Sequence, residues 1–535
     1  LAKESDTGQV TLVAHSMGGL LGKAIIKRFE EAGKEGSIDS FVMVGSPQLG
    51  TPQAIGALLH GDNEGIPGSG AGIFFGAIVN PLTARSVSQN MQSVYDLLPS
   101  PHYFEEVSDP VVSFDENASF TDAWRGAWGT ELTTFSEFFS FLTGQGVLRT
   151  GDSNNLLVPE VLRADLLNNA VDFHGEYDTY EFPGSIRVVQ VAGWGLPTVK
   201  RIVYRDRHSS QSYDVETTVE GDKTVVYPSA VSSVGEKYFF NIFDFNELLE
   251  SNAQHRNLLS TVPLKSLLSS VFEEKEITGI GFISETKPPI SDANKQLLVS
   301  AHSPVILGVF DEDGNFTGID PNQDLSADIL FVTEDIPGSS FLGFGSGQYI
   351  FLPKNGNYTF IFEGIGEGPT TIEVKAIAND ESTSVATYTD IPVTQNMKAS
   401  FTINSTSPEN TPIELDTDSD DTTDETILPD DFEEELSLTE QLEELIQTVE
   451  LYIEGSDIRR FGQRLITRNL ERTSRIFTRL EEDPDNKRLQ RRAEHRLRVS
   501  LIGLKIHERL GRAPEEDTEE IRVQIQDMLD RVREL

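Results

Sequence analysis

The sequence predicts an α/β domain, then an all-β sandwich-like domain, then a C-terminal α-helical domain. Three observations carry this. Strand-like and helix-like stretches alternate over residues 1–275. Short alternating apolar runs, separated by turn residues, fill 276–404. Helix formers without strand signal fill 436–535. The 535 residues also suit about three domains at roughly 150 residues each.

In the first part, Val10–Ala14 is a short apolar run and Leu20–Glu31 has helical spacing with charged ends. Ser40–Val44 and Ile186–Ala192 are again apolar and β-rich, and Tyr238–Ile242 is a further strand candidate. Such alternation implies a parallel sheet with both faces covered. Between Gly50 and Pro183 the rhythm gives way to a stretch rich in Gly, Phe and Leu, a large insertion over the sheet at about 51–183. The chain opens on Leu1 and reaches a strand within ten residues, so an α/β domain incomplete at its N-terminus is expected, with any signal peptide outside this sequence.

In the second part the runs Leu297–Ala301, Pro304–Phe310, Ala327–Val332, Gln348–Leu352, Tyr358–Glu363, Thr371–Ala378 and Ser384–Asp390 follow one another at sandwich spacing. Asp311–Asn315 begins like a calcium loop. Phe316 and Asn322 stand where an EF-hand needs Gly and Glu, so a hairpin turn is expected. Residues 405–435 are dominated by Asp, Glu, Thr, Ser and Pro and read as a disordered acidic linker. Beyond it, Leu436–Ile453, Ile458–Leu480, Lys487–Leu510 and Thr518–Leu535 read as helices. Arg460, Arg464, Arg468 and Arg472 recur every four residues on one of them, a basic face suited to anionic lipid or to internal pairing.

Composition excludes several chemistries. Forty-three Lys+Arg against 86 Asp+Glu give a net charge of −43, which argues against nucleic acid as a partner. The absence of Cys excludes disulfides, zinc–thiolate sites and thiol nucleophiles. No apolar run reaches the ~18–20 residues needed to cross a bilayer.

The strongest chemical signal is Val10-Thr-Leu-Val-Ala-His-Ser16-Met17-Gly-Gly-Leu20. A β-rich run ends in small-x-Ser-x-Gly and a helix pattern follows, the context of a nucleophile elbow. Small flanking residues are needed because the Ser sits on a tight strand-to-helix turn. Ser16 is the candidate nucleophile, and the backbone N–H of Met17 the candidate oxyanion donor. A serine needs a base, and in this architecture an acid and then a His follow it. His255 follows the last strand candidate and is the candidate base. Gly221-Asp222-Lys223-Thr224-Val225 is a tight polar turn, and Asp222 is the candidate acid, with Asp206, Asp214 and Asp244 as rivals. His174 precedes its strand too early, and His208 leaves little room for an acid.

At these residues the chain resembles the lecithin:cholesterol acyltransferase-like, lipase-like branch of the α/β-hydrolase superfamily. Val13–Leu20 is similar to the family's elbow, and Gly45-Ser-Pro-Gln-Leu-Gly-Thr-Pro52 to the turn after the next strand. Gln89–Ser100, ending Leu-Leu-Pro-Ser, resembles a motif of its lid region. Gly193-Trp-Gly-Leu-Pro-Thr198 resembles the turn after its acid-bearing strand. Gly221–Val225 resembles Gly-Asp-Gly-Thr-Val, with Lys223 for the middle Gly. The resemblance implies an α/β-hydrolase domain over 1–275 with a lid at about 51–183, and Ser16, Asp222 and His255 as a triad. It implies acyl-ester chemistry on lipids: hydrolysis of lipase or phospholipase type, or acyl transfer to an alcohol. A different class of reading is an inactive hydrolase-like scaffold that binds at a surface. No cofactor or metal is implied. Lipid substrate, peripheral membrane or cell-surface contact, and a secreted or cell-surface location are expected. The family's loop with the second oxyanion N–H has no counterpart, so weak activity or poor folding of the chain as given is expected. In the insertion, Ala71–Val79 and the band Phe135, Phe138, Phe139, Phe141 and Leu142 are either acyl-contact surface or ordinary core.

Overall fold

The computed structural model describes residues 1–62, 77–79, 81–107, 109–145, 149–207, 210–289, 296–320, 323, 329–344, 347–353, 356–378, 381–395, 397–404, 411–418, 420, 422–430, 442, 445, 446, 449, 460–482, 486–509 and 515–534. Residues 71–76 of the apolar run and His208 therefore lie outside the described residues. Two compact units result, Leu1–Phe432 and Glu433–Leu535.

The α/β part is built on a sheet in the order β1 (Val10–His15), β2 (Ile38–Val44), β5 (Arg187–Trp194), β8 (Glu236–Asn241) and β9 (Ile283–Ser284). The first four strands are parallel, in register at Leu12↔Phe41, Val42↔Val189 and Val191↔Tyr238. β2 shows why its sequence reads as a continuous apolar run. Phe41 and Met43 pack with Ile26 and Val188 on one face, while Val42 and Val44 pack with Leu264 and Leu267 on the other. The helices Gly18–Glu31 and Val262–Phe272 supply those covers. Parallel alignment brings His15, Val44, Trp194 and Asn241 to one end of the sheet, the carboxyl end where ligands bind in such folds.

Much of the insertion packs into one core with residues of β6 (Thr198–Arg207), β7 (Ser210–Thr218) and the later sheets. Phe114, Trp124, Phe138, Phe141 and Tyr204 form a cluster of mostly edge-on and tilted rings. A three-stranded sheet of β4 (Val112–Phe114), β6 and β7 supports it. Phe138, Phe141 and Leu142 are fully buried there, which favours the core reading of the aromatic band.

The second part is a sandwich of two antiparallel sheets. One runs β14 (Ser340–Phe344), β15 (Gly347–Pro353), β10 (Gln296–His302), β17 (Gly368–Ala378), β18 (Glu381–Val393). The other runs β21 (Glu425–Ile427), β20 (Ile413–Asp416), β19 (Lys398–Asn404), β16 (Asn357–Gly364), β11 (Val305–Phe310), β12 (Phe316–Ile319), β13 (Ile329–Glu334), β3 (Ala77–Val79). The Asp311–Asn315 turn joins β11 to β12 as a hairpin, its Asp311 carboxylate accepting from the N–H groups of Asp313 and Asn315.

Two expectations on domain limits are corrected. The segment 405–435 is not a disordered linker throughout: β20 and β21 form a hairpin on the sheet edge, and Ile413 and Leu415 are fully buried. Their alternation with Glu414 and Asp416 is a half-buried strand pattern that the surrounding acidic composition masks. Nor are 1–275 and 276–404 separate bodies. β3, from the insertion, pairs with β13, and Leu298, Leu342, Phe344, Tyr349 and Phe351 share one core with Ile55, Leu59 and Tyr213.

In the second unit the helices Arg460–Glu482, Lys487–Arg509 and Glu515–Glu534 bury Leu470, Phe477, Leu497, Leu504 and Ile525. Arg472, Arg475 and Arg479 are exposed; the side chains of Arg460, Arg464 and Arg468 lie outside the described residues. Among the described residues no helix is long and apolar enough to cross a membrane.

Candidate active site

Ser16 stands between the end of β1 and the helix Gly18–Glu31, at the carboxyl end of the sheet. Its φ of +56° lies in the left-handed region that a side chain ordinarily avoids. The strain is held by its N–H bonded to the Val44 carbonyl at 3.0 Å and by close approach of helix to strand. A Cβ on Gly19 would sit 2.3 Å from the Ser46 hydroxyl, so only Gly lets the helix come this near. Met17 caps the helix start, where the first N–H groups have no intrahelical partner.

His255 and Asp222 arrive from loops after the later strands. His255 Nε2 lies 2.8 Å from Ser16 Oγ, and His255 Nδ1 lies 2.8 Å from Asp222 Oδ2. The structure thus brings Ser16, His255 and Asp222, more than 200 residues apart at the extremes, into one hydrogen-bonded line. The other oxygen of Asp222 accepts from the N–H groups of Thr224 at 3.1 Å and Val225 at 2.8 Å, and the His255 N–H donates to the Asp222 carbonyl at 2.9 Å. Asp222 is fully buried and its carboxylate lone pairs are well occupied. Gly45 makes room for the pair. Its φ is +56°, and a Cβ there would lie 2.8 Å from Asp222 Oδ2 and 3.2 Å from His255 Nδ1.

The remaining candidates stand elsewhere. Asp214 is buried with Arg205 at 3.0 Å and accepts from the Tyr349 hydroxyl at 2.9 Å; Asp244 accepts from Asn241; Asp206 is exposed. His174 is a buried structural residue bonded to Asp178 and the Asp96 carbonyl.

His15 neighbours the line of Ser16, His255 and Asp222. Its Nε2 lies 2.7 Å from the His255 carbonyl. Burial, and His255 alongside, hold its imidazole below the usual histidine range. A neutral ring therefore donates to that carbonyl and steadies the loop that carries His255.

The quoted motifs have local roles. Gln48 donates to Gln190 at 2.9 Å and to the Ala230 carbonyl at 2.7 Å, and accepts from Ser233 at 2.6 Å, joining β2 to β5 and the 229–233 segment. Thr51 donates to the Thr224 carbonyl at 2.6 Å, tying this turn to the loop that carries Asp222. The Thr51 N–H bonds the Leu97 carbonyl and the Ser100 N–H bonds that of Leu49, so the Leu-Leu-Pro-Ser stretch braces the same turn. Leu196 bridges to Asp222, and its N–H donates to Gly221.

A parallel sheet flanked by helices, with a serine at a strained strand-to-helix turn, defines an α/β-hydrolase fold. Residues 1–140 match the family model described as Lecithin:cholesterol acyltransferase. The chain is 31% identical over 114 residues to the lysosomal phospholipase A and acyltransferase of Rattus norvegicus, covering 21% of this chain and 25% of that protein. The Canis lupus familiaris protein of the same name is 34% identical over 136 residues, 23% of this chain and 31% of that one. The chain thus spans about a quarter to a third of the length of the curated relatives it matches. Among solved structures, the Tle4–Tli4 complex aligns at 17% identity and a TM-score of 0.27, covering 42% of this chain and 50% of that one. Bacillus licheniformis lipase BlEst2 in its propeptide form aligns at 11% and 0.23, covering 78% and 81%.

Proposed function

We propose that the chain is a serine hydrolase acting on acyl esters of lipids. The observation that carries this is the line from Ser16 Oγ through His255 to Asp222, both links 2.8 Å, at a strained elbow. Ser16 Oγ attacks the acyl carbonyl carbon while His255 Nε2 takes its proton. Asp222 accepts from the Nδ1–H of His255, fixes the tautomer and stabilises the imidazolium. The Met17 N–H donates to the oxyanion. As the tetrahedral adduct collapses, His255 returns the proton to the departing alcohol and an acyl-Ser16 ester remains. Water, deprotonated by His255, then attacks that ester, releasing the fatty acid and restoring Ser16.

Replacing the water by an alcohol gives acyl transfer through the same steps. The matched relatives are named for both activities, so this second reading stands beside the first.

A fluorophosphonate probe tests the proposal. The full chain is expected to be labelled, and Ser16→Ala to abolish labelling and lower ester turnover by about 10⁴-fold or more. Labelling that survives Ser16→Ala would sink the assignment. Product analysis with and without an added alcohol separates free fatty acid from a transferred ester.

A further inference from the structure

We infer that Glu334, from the β-sandwich, is a positioning residue that holds the acid loop and the base loop in mutual register. The inference rests on the serine-hydrolase reading above and adds a residue outside the α/β part.

Glu334 ends β13, and its side chain is only 4% exposed. One carboxylate oxygen accepts from Lys223 Nζ and from the Phe341 N–H at 2.8 Å. The other accepts from Gln254 Nε2 at 2.8 Å and Arg256 Nη2 at 2.9 Å. Lys223 follows Asp222 directly, while Gln254 and Arg256 flank His255. A single planar carboxylate therefore touches the residue after the acid and both residues beside the base. Its backbone takes part too. Asn252 donates to the Glu334 carbonyl at 2.6 Å and accepts from the Gly338 N–H at 2.9 Å.

Lys223 shows that this contact shapes the acid loop. Its φ is +85°, where Gly is at ease and Lys is strained. The backbone is pinned by its N–H to Thr198 Oγ1 at 2.9 Å, and the side chain by Glu334. Burial alone would raise the Glu334 carboxyl, but Lys223 and Arg256 outweigh it and carry it down to about 2, so it is an anion at neutral pH. Asp222 must hold His255 in line with Ser16 for the serine proton to pass, and a 1 Å misplacement from outside the chemistry can cost about 10²-fold. Neither loop reaches the other's flanking residues through Glu334 without the sandwich in place.

The test compares the full chain with Glu334→Gln, Glu334→Asp and Lys223→Gly. A fluorophosphonate end point counts competent serines. The labelling rate, and kcat and KM for p-nitrophenyl butyrate, are then expressed per competent serine, and thermal midpoints are taken alongside. Glu334→Gln is expected to lower kcat and labelling rate by about 10- to 100-fold with KM within about twofold, and Glu334→Asp to recover part of the loss. Lys223→Gly relieves the backbone strain but removes the bridge. It is expected to lower kcat several-fold with a midpoint near that of the parent, which keeps the test alive if Glu334→Gln does not fold. Rates per competent serine unchanged in Glu334→Gln or in Lys223→Gly, with only the midpoint lowered, would make Glu334 a mere fastener and overturn the inference. A parent chain that takes no label overturns the serine reading itself, and the inference with it.

Discussion

Single residues here are constrained by what their neighbours must do. Gly45 and Lys223 both hold left-handed backbone beside Asp222, the first to leave space and the second to send an ammonium to Glu334. The Glu334 carboxyl carries a consequence for stability. Its ordinary value is 4.5 and its folded value about 2, lowered by Lys223 and Arg256 against the opposing effect of burial. A depressed folded value means stability that is fully present above about pH 4.5 and is lost as pH falls toward 2. The shift corresponds to on the order of 3 kcal/mol. In urea titrations from pH 7 to pH 3, the stability gap between the parent and Glu334→Gln is expected to be widest above pH 5 and to narrow progressively below about 4.5. A gap that stays constant across that range would show that the carboxylate charge is not what Lys223 and Arg256 bind.

At the scale of elements, the helix Phe135–Thr143 separates packing from acyl contact. Thr134 and Glu137 close a capping box at its start, and Phe138, Phe141 and Leu142 are fully buried while Phe135 and Phe139 are half-buried. Phe138→Ala is expected to cost about 3–5 kcal/mol of stability while leaving the ratio of long- to short-chain ester turnover unchanged. A change in chain-length preference without loss of stability would return this helix to the acyl site. The same contrast explains what the sequence made legible. β2 and β5 are buried on both faces and stand out as apolar runs, and β1, half-buried with Val13 exposed, still reads as apolar and leads into the elbow. The β6–β7 hairpin carries Lys200, Arg201, Arg205, Asp206, Asp214 and Glu216, and this polar alternation hides it. β12 is four residues long with a Gly inside, and β20 lies within acidic surroundings. Ser16, Asp222 and His255 were readable because their motifs are local and ordered in the chain. Glu334 was not, because nothing near it in sequence marks a carboxylate whose donors come from residues 80 and 111 positions away.

At the scale of the molecule, the sandwich is part of the α/β body and not an appendage. Phe344 packs edge-on to Tyr213 at 5.8 Å, and a Cβ on Gly56 would lie 2.3 Å from its ring. The Tyr349 hydroxyl donates to Asp214, and β3 extends the sandwich sheet. Cutting the chain after residue 275 would strip the partners from Ile55, Leu59 and Tyr213, leave Arg256 and Lys223 without Glu334, and open β3 as an unpaired edge. The fragment 1–275 is therefore expected to be aggregated or unlabelled by a fluorophosphonate. The fragment 1–432, which keeps the whole first unit, is expected to be labelled as the full chain is. Size-exclusion chromatography and labelling of both fragments decide the matter: a monomeric 1–275 that labels at the rate of the full chain would show that the sandwich contributes neither core nor register.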